Sequence, residues 1–270
     1  MSATVDTRVV EHRPAAVTLL NWRNAERPDR AQEHFSLTLR PGEVMAFVRF
    51  REDIAGRRVL EIDCGAGRVT RYLGRMAAQV VGLDRSDTLL AAAREALPGV
   101  TFHRGDALDL GAVCDAPFDT VLYVLNGIDL LAHPDRLVAL AEIRGALAPG
   151  GLFVFSSHNR LGRDAREGPR LRLSLNPARL AREGLWFARS VMNRRARKPF
   201  EHEEAEYALI NDLAHEYAMV HYHIDYANQI AQLTRAGFEF LEAYGVDGEL
   251  IGPSDDTAAS YDIHYVARRA

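Results

Sequence analysis

Between Arg57 and Leu73 the chain reads RRVLEIDCGAGRVTRYL. A β-branched apolar run meets Asp63, Cys64, Gly65, Ala66 and Gly67, then gives way to a helix-like stretch. Strand, glycine turn and helix N-terminus let backbone amides approach a nucleotide-like ligand, because glycine has no Cβ. Asp84 closes the next strand-like run, QVVGLD, where an acid can accept hydrogen bonds from a ribose diol. Asp106 closes the one after it, VTFHRGD, where it could reach an adenine amino group. The dinucleotide pattern G-x-G-x-x-G needs glycine at position 70, and the residue there is Thr70, which argues against NAD.

Histidines make up the second reactive group. His158 follows a strand in FSSHN and is placed to serve as a general base near an acceptor, or to bond loop backbone. The run HEYAMVHYHIDY alternates like a strand, which puts His221, His223 and Asp225 on one face. That spacing suits a base–carboxylate pair or metal ligands, with a polar sheet face as the plain alternative. Nothing else in the sequence gathers ligands around it, so no metal site is assigned. Asn126, Asp129 and His133, after the fourth strand, are further acceptor-side groups without an assigned role.

The elements that must position these groups follow a regular beat. RPGEVMAFVRFRED reads as a proline-started helix with Val44, Phe47 and Val48 on one face. RRVLEID is a strand, and RVTRYLGRMA a helix with Val69, Tyr72 and Leu73 inward. QVVGLD, VTFHRGD, FDTVLYVL and GLFVFSS are strands. The helices between them are SDTLLAAAREAL, capped by Ser86, and PDRLVALAEIRGAL, begun by Pro134. Such alternation predicts a parallel, doubly wound α/β sheet covered on both faces. The beat stops at His158 and resumes with YANQIAQLTRAGF, FEFLEAY and YDIHYVARR, so the break is an insertion within one domain.

The inserted segment differs in charge from the rest. From Arg160 to Lys198 there are twelve Arg or Lys against three acids, in a chain of 270 residues whose net charge is −4. Asn176 and Pro177 start a helix there, with Ala181, Leu185, Ala188 and Met192 as an apolar stripe and arginines opposite. Its plainest role is to cap the domain. A lid supplying Arg to an anionic substrate, or a face over 176–198 lying on an anionic membrane, are the alternatives. Cys64 and Cys114 are too few for a disulfide framework, the N-terminal stretch has no secretory pattern, and no apolar run is long enough to span a bilayer. A cytoplasmic protein, at most peripheral to the inner membrane face, is expected.

Taken in order, Glu61-Ile62-Asp63-Cys64-Gly65-Ala66-Gly67, Asp84, Asp106 in GDAL and the Pro-Gly-Gly turn of LAPGGLFVF resemble the class I S-adenosylmethionine-dependent methyltransferases. The resemblance covers about 55–159 and, more weakly, 225–270. It implies a Rossmann-like methyltransferase fold, α/β and doubly wound, with a mostly parallel seven-stranded sheet and the basic cap inserted. Residues 1–54 would form a lid segment, 55–159 the cofactor-binding core, 160–223 the cap, and 224–270 the completion of the sheet. It further implies S-adenosyl-L-methionine as cofactor, with Glu61 and the 63–67 loop at the methionine part and Asp84 and Arg85 at the ribose. Asp106 and Ala107 would meet the adenine, and Val124, Leu125 and Asn126 would flank the cofactor. Asp63 departs from the family, which has glycine there. It would bring a carboxylate near the cofactor's ammonium and sulfonium. The expected acceptor is a small molecule or a glycan- or lipid-linked metabolite. Neither an N/D-P-P-Y/F motif nor a Pro-Cys pair is present, which disfavours nucleic acid. A non-catalytic or regulatory cofactor binder of the same fold and an RNA methyltransferase are the competing readings; the oligomeric state is not legible.

Overall fold

The computed structural model describes residues 13–26, 38–112 and 117–270. Cys114, most of the N-terminal stretch and part of the expected lid segment lie outside the described residues. The core is built by the alternation read above: β1 (Arg58–Ile62), β2 (Gln79–Asp84), β3 (Thr101–Arg104), β4 (Phe118–Tyr123) and β5 (Leu147–Asn159) are all parallel, in the order β3-β2-β1-β4-β5. Two C-terminal strands, β9 (Phe238–Tyr244) and β10 (Asp262–Arg269), complete the far edge, β10 running antiparallel to β5 and β9 antiparallel to β10. Reversal of strand order at β1/β4 creates the switch point where such sheets bind ligands.

Buried Val, Ile, Leu and Phe fill both faces of the sheet. Leu60, Ile62, Val121, Phe153 and Phe155 pack on one side, against α6 (His133–Ala146) and α8 (Tyr226–Arg235). Val59, Leu122 and Val154 pack on the other, against α2 (Pro41–Arg49) and α3 (Arg51–Ile54). Near-continuous apolar strands are what coverage on both faces requires.

The expected helix after the glycine turn is a single turn, α4 (Thr70–Leu73), ended by Gly74. Ser86 caps α5 (Asp87–Ala96) by accepting from the Leu89 amide. The helix α2 is present but rolled from its expected face: Glu43, Ala46 and Phe47 are buried, while Val44 and Val48 are exposed. The cause is an ion pair. Arg68 grips Glu43 with two hydrogen bonds of 2.7 and 2.6 Å, both side chains buried, and so draws the polar residue inward beside the glycine turn. Before it, α1 (Ala16–Ala25) is tied to the core through Asn21, whose amide donates to the carbonyls of Leu130 and Val220.

The insertion is more than a cap. It contains α7 (Pro177–Arg197) and three short strands, β6 (His202–Glu203), β7 (Tyr207–Ile210) and β8 (His221–Ile224), which bring the sheet to ten strands. The strand β8 joins β5 at His158 and Asn159, where His158 also pairs with Asp262 of β10 on its other edge. It thus takes the side that β4 leaves vacant beyond Tyr123, and β7 and β6 follow by antiparallel pairing. The boundary expected at 223/224 falls inside β8.

Only four residues of HEYAMVHYHIDY form the strand. His215, Glu216 and Tyr217 instead have φ of 53, 56 and 60°, a left-handed turn that breaks any extended run. Asn193 and Asn211 hold the Glu216 and Tyr217 carbonyls, and Tyr217 donates to the Glu167 carbonyl. The helix α7 begins as expected, with Asn176 accepting from the Ala178 and Arg179 amides. Its apolar stripe, however, points outward: Leu185 is 53% and Met192 70% exposed, and the face of Phe187, Ser190 and Arg194 leans on the protein.

Candidate active site

At the carboxyl ends of β1, β2 and β4 lies a cleft of about 230 Å³, closed on its far side by the insertion. Asp63, Asp84, Arg85 and the Val124–Gly127 turn line it from the core; His158, His215, Met219 and His221 line it from the insertion side; Trp22 and Arg40 come from the N-terminal helices.

The glycine turn is built for close approach. Asp63, Gly65 and Gly67 have φ of 53, 56 and 85°, and a Cβ on Gly67 would meet Leu97 Cδ1 at 2.8 Å. Asp tolerates the left-handed region better than most residues, so position 63 keeps the turn without glycine. Asp84 is oriented by two backbone donors, the Gly65 amide at 2.8 Å and the Ser86 amide at 2.8 Å. Burial, then the nearby Asp84, pushes the Asp63 carboxyl up to about 7, against a hydrogen bond from Tyr123. A Cβ on Gly127 would stand 2.4 Å from the Tyr123 ring and 2.8 Å from Asp63 Oδ2, so glycine there lets the β4 turn close on both.

Several residues expected at the cofactor do not line this cleft. Glu61 is buried away from the cleft, accepts from Thr70 Oγ1 at 2.5 Å, and is pushed up to about 8 by burial. Cys64 packs with Leu90, Ala93 and Phe102, and burial raises its thiol well above the usual range. Gly65, Ala66 and Gly67 are buried and shape the turn without lining the cleft. Asp106 pairs with Arg85 at 2.7 Å and accepts from the Leu108 amide, and Ala107 is buried; neither lines the cleft. Arg85 also lies over the Trp22 ring, 3.7 Å from its centroid. Trp22, Arg85 and Asp106 thus form one connected group.

The histidines converge. His158 Nδ1 lies 2.7 Å from Asp129 Oδ2, whose carboxylate also takes the His158 amide, Ser157 Oγ at 2.7 Å and Arg136 Nη1 at 2.6 Å. Arg136 is wholly buried, bonds Gln229 and Gln232 of α8, and lies over the Tyr222 ring. Burial alone would raise the Asp129 carboxyl, but Arg136 and His158 outweigh it and hold it below the usual range. For His158, burial is likewise outweighed, by Asp129 and more distantly Asp212 and Asp262, and its ring is raised.

Asp212, in the β7–β8 connection, was not singled out in the sequence. It accepts from His221 Nδ1 at 3.0 Å and His223 Nε2 at 3.1 Å, and these imidazoles hold its carboxyl well below the usual range against burial. With His158 Nε2 3.9 Å from Asp212 Oδ2, three imidazoles surround this carboxylate. Asp225 takes no part: it caps α8 by accepting from the Asn228 amide. His223 lies behind the cleft, its ring lowered by burial. His133 bonds Tyr222 and stacks on Tyr207, outside the cleft. Asn126, with φ of 57°, donates toward His158 Nε2 and Asp262 Oδ2, both at 3.3 Å.

A glycine turn at the switch point, oriented acids after β1 and β2, and an open cleft beyond them define a nucleoside-cofactor-binding α/β protein. Residues 59–151 match the family model described as a methyltransferase domain. Over 172 residues, 62% of this chain and 63% of the other, the sequence is 31% identical to a probable S-adenosylmethionine-dependent methyltransferase of Mycolicibacterium smegmatis. Over 121 residues, 43% of this chain and 49% of the other, it is 31% identical to a ubiquinone biosynthesis O-methyltransferase of Xanthomonas euvesicatoria pv. vesicatoria. The chain thus spans less than two thirds of the length of these curated relatives. The fold matches the Burkholderia thailandensis 1,6-didemethyltoxoflavin-N1-methyltransferase with a TM-score of 0.61 at 15% identity, covering 97% of this chain and 93% of that one. Residues 59–151 thus carry a methyltransferase domain, and the chain as a whole is similar to S-adenosylmethionine-dependent methyltransferases in sequence and in fold.

Proposed function

We propose that the protein transfers a methyl group from S-adenosylmethionine to a hydroxyl of a small-molecule or lipid-linked acceptor, by in-line displacement. The observation that carries this reading is that one cleft joins the Asp63–Asp84 end of the core to the His158–Asp212–His221 cluster of the insertion. When bound, the cofactor supplies a methyl group made electrophilic by its sulfonium. Asp84, fixed by the Gly65 and Ser86 amides, is positioned for a ribose diol, and Asp63 offers a carboxylate to a cationic ligand. Val124 to Gly127 line the space between the two ends. Alignment in such a crevice accounts for much of the rate of a displacement reaction.

A hydroxyl must lose its proton as it attacks. His158 gives its Nδ1 side to Asp129, so Nε2, which the Asn126 amide approaches at 3.3 Å, is the ring atom that would take that proton. The Xanthomonas relative is named as an O-methyltransferase, which supports oxygen as the acceptor atom. For the lipid-linked choice the support is the outward stripe of Leu185, Ala188 and Met192 on α7, flanked by Arg182, Arg189 and Arg195, a pattern suited to an anionic lipid surface.

The test is methyl transfer from methyl-labelled S-adenosylmethionine to hydroxyl acceptors, free and in anionic vesicles. His158→Gln should lower turnover by ~10²–10⁴-fold with little change in binding of the demethylated cofactor; unchanged turnover would refute the role of His158. Leu185→Glu with Met192→Glu should abolish vesicle binding at low salt. Absence of vesicle binding by the unaltered protein would remove the lipid-linked arm.

A further inference from the structure

We infer that His158, Asp212 and His221 form a binding site for one divalent transition-metal ion of the zinc or cobalt class, open on one side to the cleft. One ligating atom from each lies within 4.8 Å of the others. They come from three different places, the end of β5, the β7–β8 connection and the start of β8, so the site forms only in the folded chain.

A hydrogen bond of 3.0 Å joins His221 Nδ1 to Asp212, and an ion would replace its proton, but no hydrogen bond brings His158 to the pair. His158 Nε2 stands 3.9 Å from Asp212 Oδ2, too far for a hydrogen bond. Two ligands on one tetrahedral zinc at ~2.0–2.1 Å lie about 3.4 Å apart, so the gap closes on an ion with a shift of about 0.5 Å. His158 is already oriented in the way metal-ligating histidines are: Nδ1 is held by a buried carboxylate, Asp129, at 2.7 Å, which presents Nε2. Beside it, Asn126 Oδ1 is buried without a hydrogen-bond partner, and rotation of that amide would turn an oxygen toward the same point. Imidazole and carboxylate together favour zinc, cobalt or iron over magnesium or calcium, which prefer all-oxygen shells.

Three protein ligands with a side open to a cleft is the form of a catalytic rather than a structural centre. The role of the ion in the reaction rests on the methyl-transfer reading, whereas its binding does not. On the loaded protein the acceptor's oxygen completes the coordination and its proton passes to water. The oxygen then bonds to the methyl carbon as the carbon–sulfur bond breaks, its electron pair going to sulfur. The ion thus takes over the deprotonating role of the His158 ring.

The experiment is calorimetric titration of the chelator-treated full chain with Co²⁺, with the visible absorption of bound Co²⁺ as a second readout. The expected result is one ion per chain with tetrahedral-type absorption. Asp212→Asn and His221→Gln should each lose it while still binding S-adenosylhomocysteine, which shows that they fold. Asp129→Asn should weaken it by ~10–100-fold. His202→Gln, at an exposed His202–Glu204 pair that does not line the cleft, should leave it unchanged. No stoichiometric Co²⁺ binding, or binding unaltered in Asp212→Asn and His221→Gln, overturns the inference. Failure of the unaltered protein to bind S-adenosylhomocysteine counts against the methyl-transfer reading instead.

Discussion

Asp129→Asn offers the sharpest energetic test of how the site is held. In the protein, Asp129 and Arg136 are both wholly buried and 2.6 Å apart. The variant leaves the Arg136 guanidinium with its bonds to Gln229, Gln232 and Ser157 but without a counter-charge. Breaking a buried pair by removing one partner costs about 3–5 kcal/mol, chiefly because the other charge stays buried. At about 2–4 °C per kcal/mol for a domain of this size, the melting temperature should fall by roughly 6–20 °C. Replacing both partners, as Asp129→Leu with Arg136→Met, should recover much of that loss, since well-packed apolar groups often substitute for a buried pair at little cost. The assay is denaturant or thermal unfolding of the parent, Asp129→Asn, Asp129→Leu, Arg136→Met and the Leu/Met double variant, the last three being read with the parent as a double-mutant cycle. Strictly additive losses, or a loss below about 1 kcal/mol for Asp129→Asn, would refute the view that this pair anchors His158.

The remaining predictions concern the core side of the cleft. Glu61, held neutral by burial with its carboxyl near 8, favours the folded state at low pH and loses that contribution as pH rises from the ordinary Glu value through about 8. Glu61→Gln should therefore flatten the fall in stability over that window by about 1.4 kcal/mol per pH unit, and parallel unfolding curves would contradict it. Asp63, with its carboxyl near 7, binds a cation better once ionised, so affinity for S-adenosylmethionine should rise as pH is raised through about 7. Asp63→Asn should abolish that slope in pH-dependent calorimetry; an unchanged slope would assign it to another group. Gly127→Ala places a methyl group 2.4 Å from the Tyr123 ring and should cost about 1–3 kcal/mol of stability and weaken cofactor binding, whereas wild-type values for both would show that the turn is not closed on Asp63.

The parallel core was legible because each strand is an apolar run bounded by polar or glycine signals, and helices such as α5, capped by Ser86, and α6, with Pro134 in its first turn, carry start signals. The glycine turn and Asp84 stood out for the same reason: their chemistry follows directly from their place at a strand end. Side-chain pairing between distant segments was not legible. Nothing local shows that Arg68 will pull Glu43 inward, or that Glu61 will be sealed below the turn with Thr70. Asp106 looked available in sequence and is instead engaged by Arg85. In the insertion the histidine alternation identified His221 and His223, but their carboxylate was sought at Asp225. That residue starts a helix, and a helix start takes its carboxylate for capping. Asp212 reaches them because β7 and β8 fold back as a hairpin, a signal present in the short apolar run YALI and the alternating run HYHI. The stripe on α7 was visible, but amphipathic periodicity does not say which face meets the protein.

The account depends most on the cleft between Asp84 and the Val124–Gly127 turn holding an adenosyl sulfur compound. Calorimetric titration of the full chain with S-adenosylhomocysteine tests it directly. One equivalent should bind in the micromolar range. Asp84→Ala, retaining its circular dichroism, should bind on the order of 10–100-fold more weakly, as expected for lost charge-assisted hydrogen bonds. Heat from NAD but from neither S-adenosylmethionine nor its demethylated product, or equal affinity in Asp84→Ala, would contradict it.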